Sequence, residues 1–262
     1  MNQDYWRKQS ADEPLFPDLL WSRPENRAHA GKLLVVGGNA HGFAAPAEAY
    51  QRATKAGAGT VRVLLPNALQ KSVGRVFEAG EYAPSTPSGS FAQTALAEVL
   101  AMAHWSDGVL LAGDLGRNSE TAILIEKFLT KYPGQVTITK DSIEYINSQP
   151  QLITQRSNTL LVLSFSQLQK LGIGLKLPTA FTLSMDMLRT VDALHTLTQA
   201  FPFAVVTKHL DTIFVAVDGQ VSSMPCVGDE RIWRLSKAAA ASVWWLQNPS
   251  KRFEAITTSL VV

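Results

Sequence analysis

Gly228-Asp229, within SSMPCVGDERIWRL (222–235), joins a strand-rich stretch to the last long helical pattern of the chain. A carboxylate there could take a proton from a hydroxyl, while the N–H groups and dipole of the helix start could hold an anion. An ordinary N-cap looks the same, because an Asp side chain accepts hydrogen bonds from the first free N–H groups of a helix. The cap is the commoner role, and both stay open. Two further loops are glycine-rich, GGNAHGFAAP (37–46) and AGDLGRN (112–118). Glycine lets backbone N–H groups approach a ligand closely, although tight strand-to-helix turns need it with or without a ligand.

Other chemistries are poorly served. GGNAHG departs from the G-x-G-x-x-G fingerprint, and the chain has no G-x-x-x-x-G-K-[ST]. His29, His41, His104, His195 and His209 lack metal-ligand spacing and are expected in surface or turn positions. Ser164 and Ser166 are not in a G-x-S-x-G elbow. Cys226 is the only cysteine, which rules out an internal disulfide. The 24 basic and 22 acidic residues nearly balance, so nucleic acid is not an expected partner. The polar start MNQDYWRKQSADEPLF lacks an apolar signal region, and no apolar run suits a membrane span. A cytoplasmic location with no membrane partner is the expectation.

The elements that must position these loops alternate. Strands are expected at 32–36, 59–65, 108–112, 135–139, 159–163 and 203–207, with helical patterns between most of them. Pro46 suits the first turn of one helix, and Ser119 is the expected N-cap of another. Asp218-Gly219 between two β-rich runs signals a hairpin, and the last long helix should span about Glu230 to Gln247. The total is seven to nine strands in one three-layer α/β domain, a mostly parallel sheet with helices on both faces. Residues 1–30 form an N-terminal arm packed on the body, residues 31–262 form the domain, and 80–90 is the loosest surface loop.

In order, these pieces resemble the ADP- or ATP-dependent NAD(P)H-hydrate dehydratase family, which has a ribokinase-like fold. KLLVVGGNAHGFAAPAEAYQRATKAGAGTVRVLLP is similar to that family's strand, "GGS…GAP" loop, helix and "RAGAGLV" strand entry. LLAGDLGRNSETAILIEKFL resembles "GPGLGR…ET", with Leu115, Gly116, Arg117, Glu120 and Thr121 in place. Asp141 matches the second aspartate of "DADAL", and Lys208 the lysine of "VVLKG". The resemblance implies that ADP or ATP, with Mg2+, phosphorylates the hydroxyl of hydrated NAD(P)H, and that phosphate then leaves. Asp229 would be the base and Gly228 part of the anion hole. Lys208 would touch phosphate, and Gly38, Asn39 and Gly116 would line the dinucleotide cleft. Asp141 would orient a ligand or magnesium, or cap the helix that follows it. The resemblance also implies small-molecule nucleotide partners and a homo-oligomer, which aromatics of the last helix would allow if exposed.

The departures define an alternative. The family's "PTGNPGMATGGTGD" is here only MPCVGD, about eight residues shorter, and "HPGE" is Ser164, Phe165, Ser166 and Gln167. Thr139 replaces the first aspartate of "DADAL", and His209, after the lysine, could crowd a nucleotide. The alternative is a catalytically inactive ribokinase-like relative that binds a nucleotide or acts through an assembly interface. A small-molecule kinase would suffer from the same shortened anion hole.

Overall fold

The computed structural model describes residues 4–74, 77–226 and 233–261. In chain order the elements are β1 (Trp6–Lys8), α1 (Pro17–Trp21), β2 (Lys32–Gly37), α2 (Ala44–Lys55), β3 (Thr60–Pro66), α3 (Gln70–Val73), β4 (Gly80–Ala83), α4 (Leu96–Trp105), β5 (Gly108–Gly113) and α5 (Ser119–Lys131). There follow β6 (Gln135–Thr139), α6 (Ser142–Ser148), β7 (Thr159–Ser164), α7 (Phe165–Gly174), α8 (Met187–Ala200), β8 (Ala204–His209), β9 (Thr212–Val217), β10 (Gln220–Pro225), α9 (Trp233–Gln247) and α10 (Arg252–Thr258).

Among the described residues, ten strands join one sheet in the order β1-β10-β9-β8-β7-β6-β5-β2-β3-β4. Pairing is parallel except where β9 meets β8 and β10. The central strands read as unbroken apolar runs because both faces are covered. Alternate side chains feed two cores. Leu34, Val36, Val109, Leu111 and Ile138 pack with the apolar faces of α4 to α8. Leu33, Val35, Leu110, Val162 and Val206 pack with α2, α9 and α10. This is the three-layer architecture expected from the alternating pattern.

The hairpin is present. Asp218 (φ 50°) and Gly219 (φ 79°) both take left-handed backbone, which is what a two-residue turn matched to strand twist requires. Several expectations need correction. The arm contributes a strand, since β1 pairs in parallel with β10. Its three residues are too few to show a periodicity. The segment 80–90 is not loose: it supplies β4, Thr86 N–H donates to Ser90 O, and Thr86 and Ser90 are buried. The N-cap of α5 is Asn118, not Ser119; its Oδ1 accepts from the N–H groups of Glu120 and Thr121. Trp244 and Trp245 are only 1% and 3% exposed, so they belong to the interior and lend nothing to an oligomer surface. His209 is also buried, stacked 4.0 Å from Phe165 with its Nε2 2.8 Å from Met185 O. His195 stacks 3.7 Å from Tyr5 of the arm. These two histidines are therefore packing residues rather than surface ones. Among the described residues, no helix is long and apolar enough to cross a membrane.

Candidate functional site

In an open α/β sheet the crevice for a ligand lies at the carboxyl ends of the strands. Here the loops after β2, β5 and β6 meet at that end and are bonded into one wall. Gly38 N–H donates to Gly113 O at 3.0 Å, which continues the β2–β5 ladder into the loop. Asn39 Nδ2 donates to Asp114 O at 2.6 Å, and its Oδ1 accepts from His41 N–H at 2.8 Å. The Asn39 side chain therefore clamps two loops together. Tyr145 of α6 donates its hydroxyl to Gly116 O at 2.6 Å.

Asp114 and Asp141 carry the charge of this wall. Asp114 Oδ2 accepts from Ala45 N–H at 2.7 Å, so it caps α2 from a distant loop. Its Oδ1 lies 3.5 Å from Lys140 Nζ. Asp141 stands at the N-cap position of α6 without capping it. Its Oδ1 instead accepts from Asp114 N–H at 2.8 Å, and its Oδ2 from Leu115 N–H at 3.0 Å. Burial pushes the Asp141 carboxyl above its ordinary pKa; the two amides pull it back, and the Asp114 carboxylate adds to the rise. Gly113 (φ 100°) leaves room for this contact, because a Cβ there would lie 2.5 Å from Asp141 Oδ1. Asp114 and Lys140 both hold positive φ, 56° and 55°, a strain that the surrounding bonds sustain.

The other wall faces α9. Side-chain alternation puts Lys208 on the face of Val206, which shares a core with Leu235, Ala238 and Ala239 of α9. His209 points to the opposite face, so the expectation that it would crowd a nucleotide beside Lys208 is not met. Arg234, in the first turn of α9, donates from its guanidinium to Gln167 Oε1 at 2.9 Å. Burial lowers its pKa, while the nearby Asp141 and Glu144 carboxylates oppose that shift. Gln167 closes a capping box with Ser164 and donates through Nε2 to Lys140 O at 2.8 Å and Glu144 Oε1 at 3.2 Å. Arg234 and the Asp114–Asp141 pair are thus linked through Gln167 and the Lys140 backbone.

Of the residues singled out from the sequence, Gly38, Asn39, Gly116 and Asp141 come together in one network. Lys208 lies three strands away from β5, roughly 14 Å at the usual inter-strand spacing. Gly228 and Asp229 lie outside the described residues. Arg234 was missed. It interrupts an apolar-flanked helix start, Trp233-Arg234-Leu235, and a cation at that point was the available signal. Among the described residues no three His, Cys, Asp or Glu side chains converge as a metal cage. Each oxygen of Asp141 accepts one amide N–H and keeps a further lone pair.

The architecture defines the class: the chain has a ribokinase-like fold. The fold is shared with a ribokinase-like superfamily protein from Enterococcus faecalis V583, at TM-score 0.72 and 14% identity, over 100% of this chain and 87% of that one. An ADP/ATP-dependent NAD(P)H-hydrate dehydratase from Bacillus subtilis, co-crystallized with ATP/Mg2+, superposes at TM-score 0.58 and 11% identity, over 94% of this chain and 86% of that one. A phosphomethylpyrimidine kinase from Clostridium difficile 630 does so at TM-score 0.55 and 11% identity, over 87% and 96%. No protein-family model and no curated protein matches the sequence.

Proposed function

We propose that the chain is a nucleotide-using enzyme of the ribokinase-like fold, and within it a divergent NAD(P)H-hydrate dehydratase. The observation that supports this reading is the bonded loop network at the carboxyl ends of the strands, with Arg234 tied to it through Gln167. One wall of the crevice is the bonded set of loops 38–42, 113–116 and 140–141, and Lys208 and Arg234 stand on the α9 side. Two cations beside a helix start at strand carboxyl ends suit the phosphates of ADP or ATP. The loop wall offers glycine backbone at Gly38 and Gly116 to a dinucleotide. Asp229 would take the proton from the hydroxyl of hydrated NAD(P)H as that oxygen accepts a phosphoryl group from ADP or ATP, which leaves as AMP or ADP. The C–O bond then breaks with phosphate taking the electron pair, and the adjacent ring carbon loses a proton to water to restore the double bond. Lys208 and Arg234 would hold the charge that gathers on the phosphoryl oxygens. Asp141 would orient a ligand or a magnesium ion carried on the nucleotide phosphates.

A specific observation favours the second reading, a non-catalytic relative. The amides of Asp114 and Leu115, which an anion would need, are filled by Asp141, and Arg234 is tied to Gln167. The experiment that separates the two is direct. NADH hydrate is incubated with the protein and either ADP or ATP, and recovery of NADH absorbance is followed. The enzyme reading expects recovery that Asp229→Asn abolishes. No recovery with either nucleotide, joined to ADP or ATP binding by calorimetry, supports the non-catalytic relative. A cytoplasmic location and a homo-oligomer remain part of the proposal, the latter checked by sedimentation.

A further inference from the structure

A cavity of about 400 Å³ lies between α5 and α6, on the sheet face opposite α9, with Gly116 and Asp141 at one end. Its size is that of a small-molecule pocket, for which roughly 300–1,000 Å³ is usual. Ala122, Ile125 and Leu152 give it an apolar wall.

Arg117 at the exposed rim apart, the hydrogen-bonding capacity of the lining is one-sided. Its side-chain donors are largely spent inside the protein. Asn118 Nδ2 donates to Ser88 Oγ at 3.0 Å, Ser148 Oγ to Glu144 O at 2.9 Å and Tyr145 to Gly116 O at 2.6 Å. Gln149 Nε2 reaches Glu126 Oε2 at a long 3.4 Å. The acceptors differ. Asp141 accepts two backbone amides, and Glu144 is paired with Lys170 at 3.2 Å. Glu126, half-buried in the same turn of α5 as Ile125, has only the Gln149 contact and forms no ion pair among the described residues. Arg117, also on the lining, is exposed.

A carboxylate with unused lone pairs beside an apolar wall is complementary to a cationic donor attached to an apolar body. We propose that this cavity is a ligand site of its own, taking a small primary amine on an apolar or aromatic frame, with the ammonium on Glu126 and the frame against Ala122, Ile125 and Leu152. The site rests on Glu126 and the apolar wall of the α5–α6 layer and borders the crevice at Gly116 and Asp141.

Tryptamine is the probe, with indole-3-propionate and tryptophol as its anionic and neutral counterparts. The 15N-labelled full chain is titrated with each, and backbone amide shifts are followed. Tryptamine is expected to move amides within 116–126 and 144–152, and to bind at least about tenfold tighter than indole-3-propionate, the scale of one charge-assisted hydrogen bond. Glu126→Gln keeps the shape and should weaken tryptamine by about tenfold. Ala122→Leu should fill the wall and weaken tryptamine and tryptophol alike. No localised shifts at millimolar tryptamine, equal binding of indole-3-propionate, or indifference to Glu126→Gln would each overturn the proposal.

Discussion

The Asp141 carboxylate sits 2.8 Å from the backbone N–H of Asp114 and takes the Leu115 N–H with its other oxygen. A side chain thereby occupies, from within, a pair of converging amides of the kind that binds anions. The loop after β5 is held in shape by this contact, and any phosphate or carboxylate seeking the same amides must displace Asp141.

Asp141→Asn tests the balance of forces there. Burial raises the native pKa of Asp141, so the folded chain holds its proton more tightly than the unfolded chain. That contribution to stability is complete below the unfolded pKa and is lost as pH rises through the raised native value. Asparagine does not titrate. The stability lost on substitution is therefore expected to be largest in acid and to shrink as pH rises, as read by urea unfolding at several pH values from about 3.5 to about 7. A gap that widens with pH would mean that the two amides outweigh burial.

Gly113→Ala should cost at least about 2 kcal/mol, because φ of 100° disfavours any side chain and the new methyl would strike Asp141 Oδ1. Gly42→Ala is the control: a Cβ there meets nothing within 4 Å, and a change within about 0.5 kcal/mol is expected. Denaturation midpoints of the two variants decide the matter.

Arg234→Met keeps the length of the side chain and removes the charge. With nucleotide phosphates held on the α9 side of the crevice, the dissociation constant for ADP should rise by about tenfold by calorimetry. Unchanged affinity, with a loss of stability, would mean that Arg234 only braces Gln167.

Thr121→Val tests a tie beneath the site. Thr121 is fully buried, and its Oγ1 donates to Phe91 O at 2.7 Å, pinning the segment after β4 to the start of α5. Valine leaves that carbonyl without its partner and should cost about 1–2 kcal/mol in unfolding experiments.

The order of layers was legible because buried parallel strands announce themselves as apolar runs, as at 32–36 and 159–163, and because Asp218-Gly219 meets the backbone demand of a tight hairpin. The carboxyl-end loops were legible through glycine. Their joining was not: Asn39 bonding to Asp114, or Gln167 to Arg234, spans 75 or 67 positions, and only the crossovers bring such residues together. Asp141 carried an ambiguous signal. Its place before a helix suggested a cap, but the free amides of the neighbouring loop made a better pair of donors for a half-buried carboxylate.

The parallel pairing of β1 with β10 has a consequence for the order of assembly. Trp6 Nε1 bonds Ser223 Oγ, a residue 217 positions later, and Gln9 reaches Thr257 O beyond it. On the ribosome the first strand emerges long before its berth exists. It must wait, unpaired, until β10 has been made, and the outer edge of β10 stays open to strangers until β1 returns to cover it.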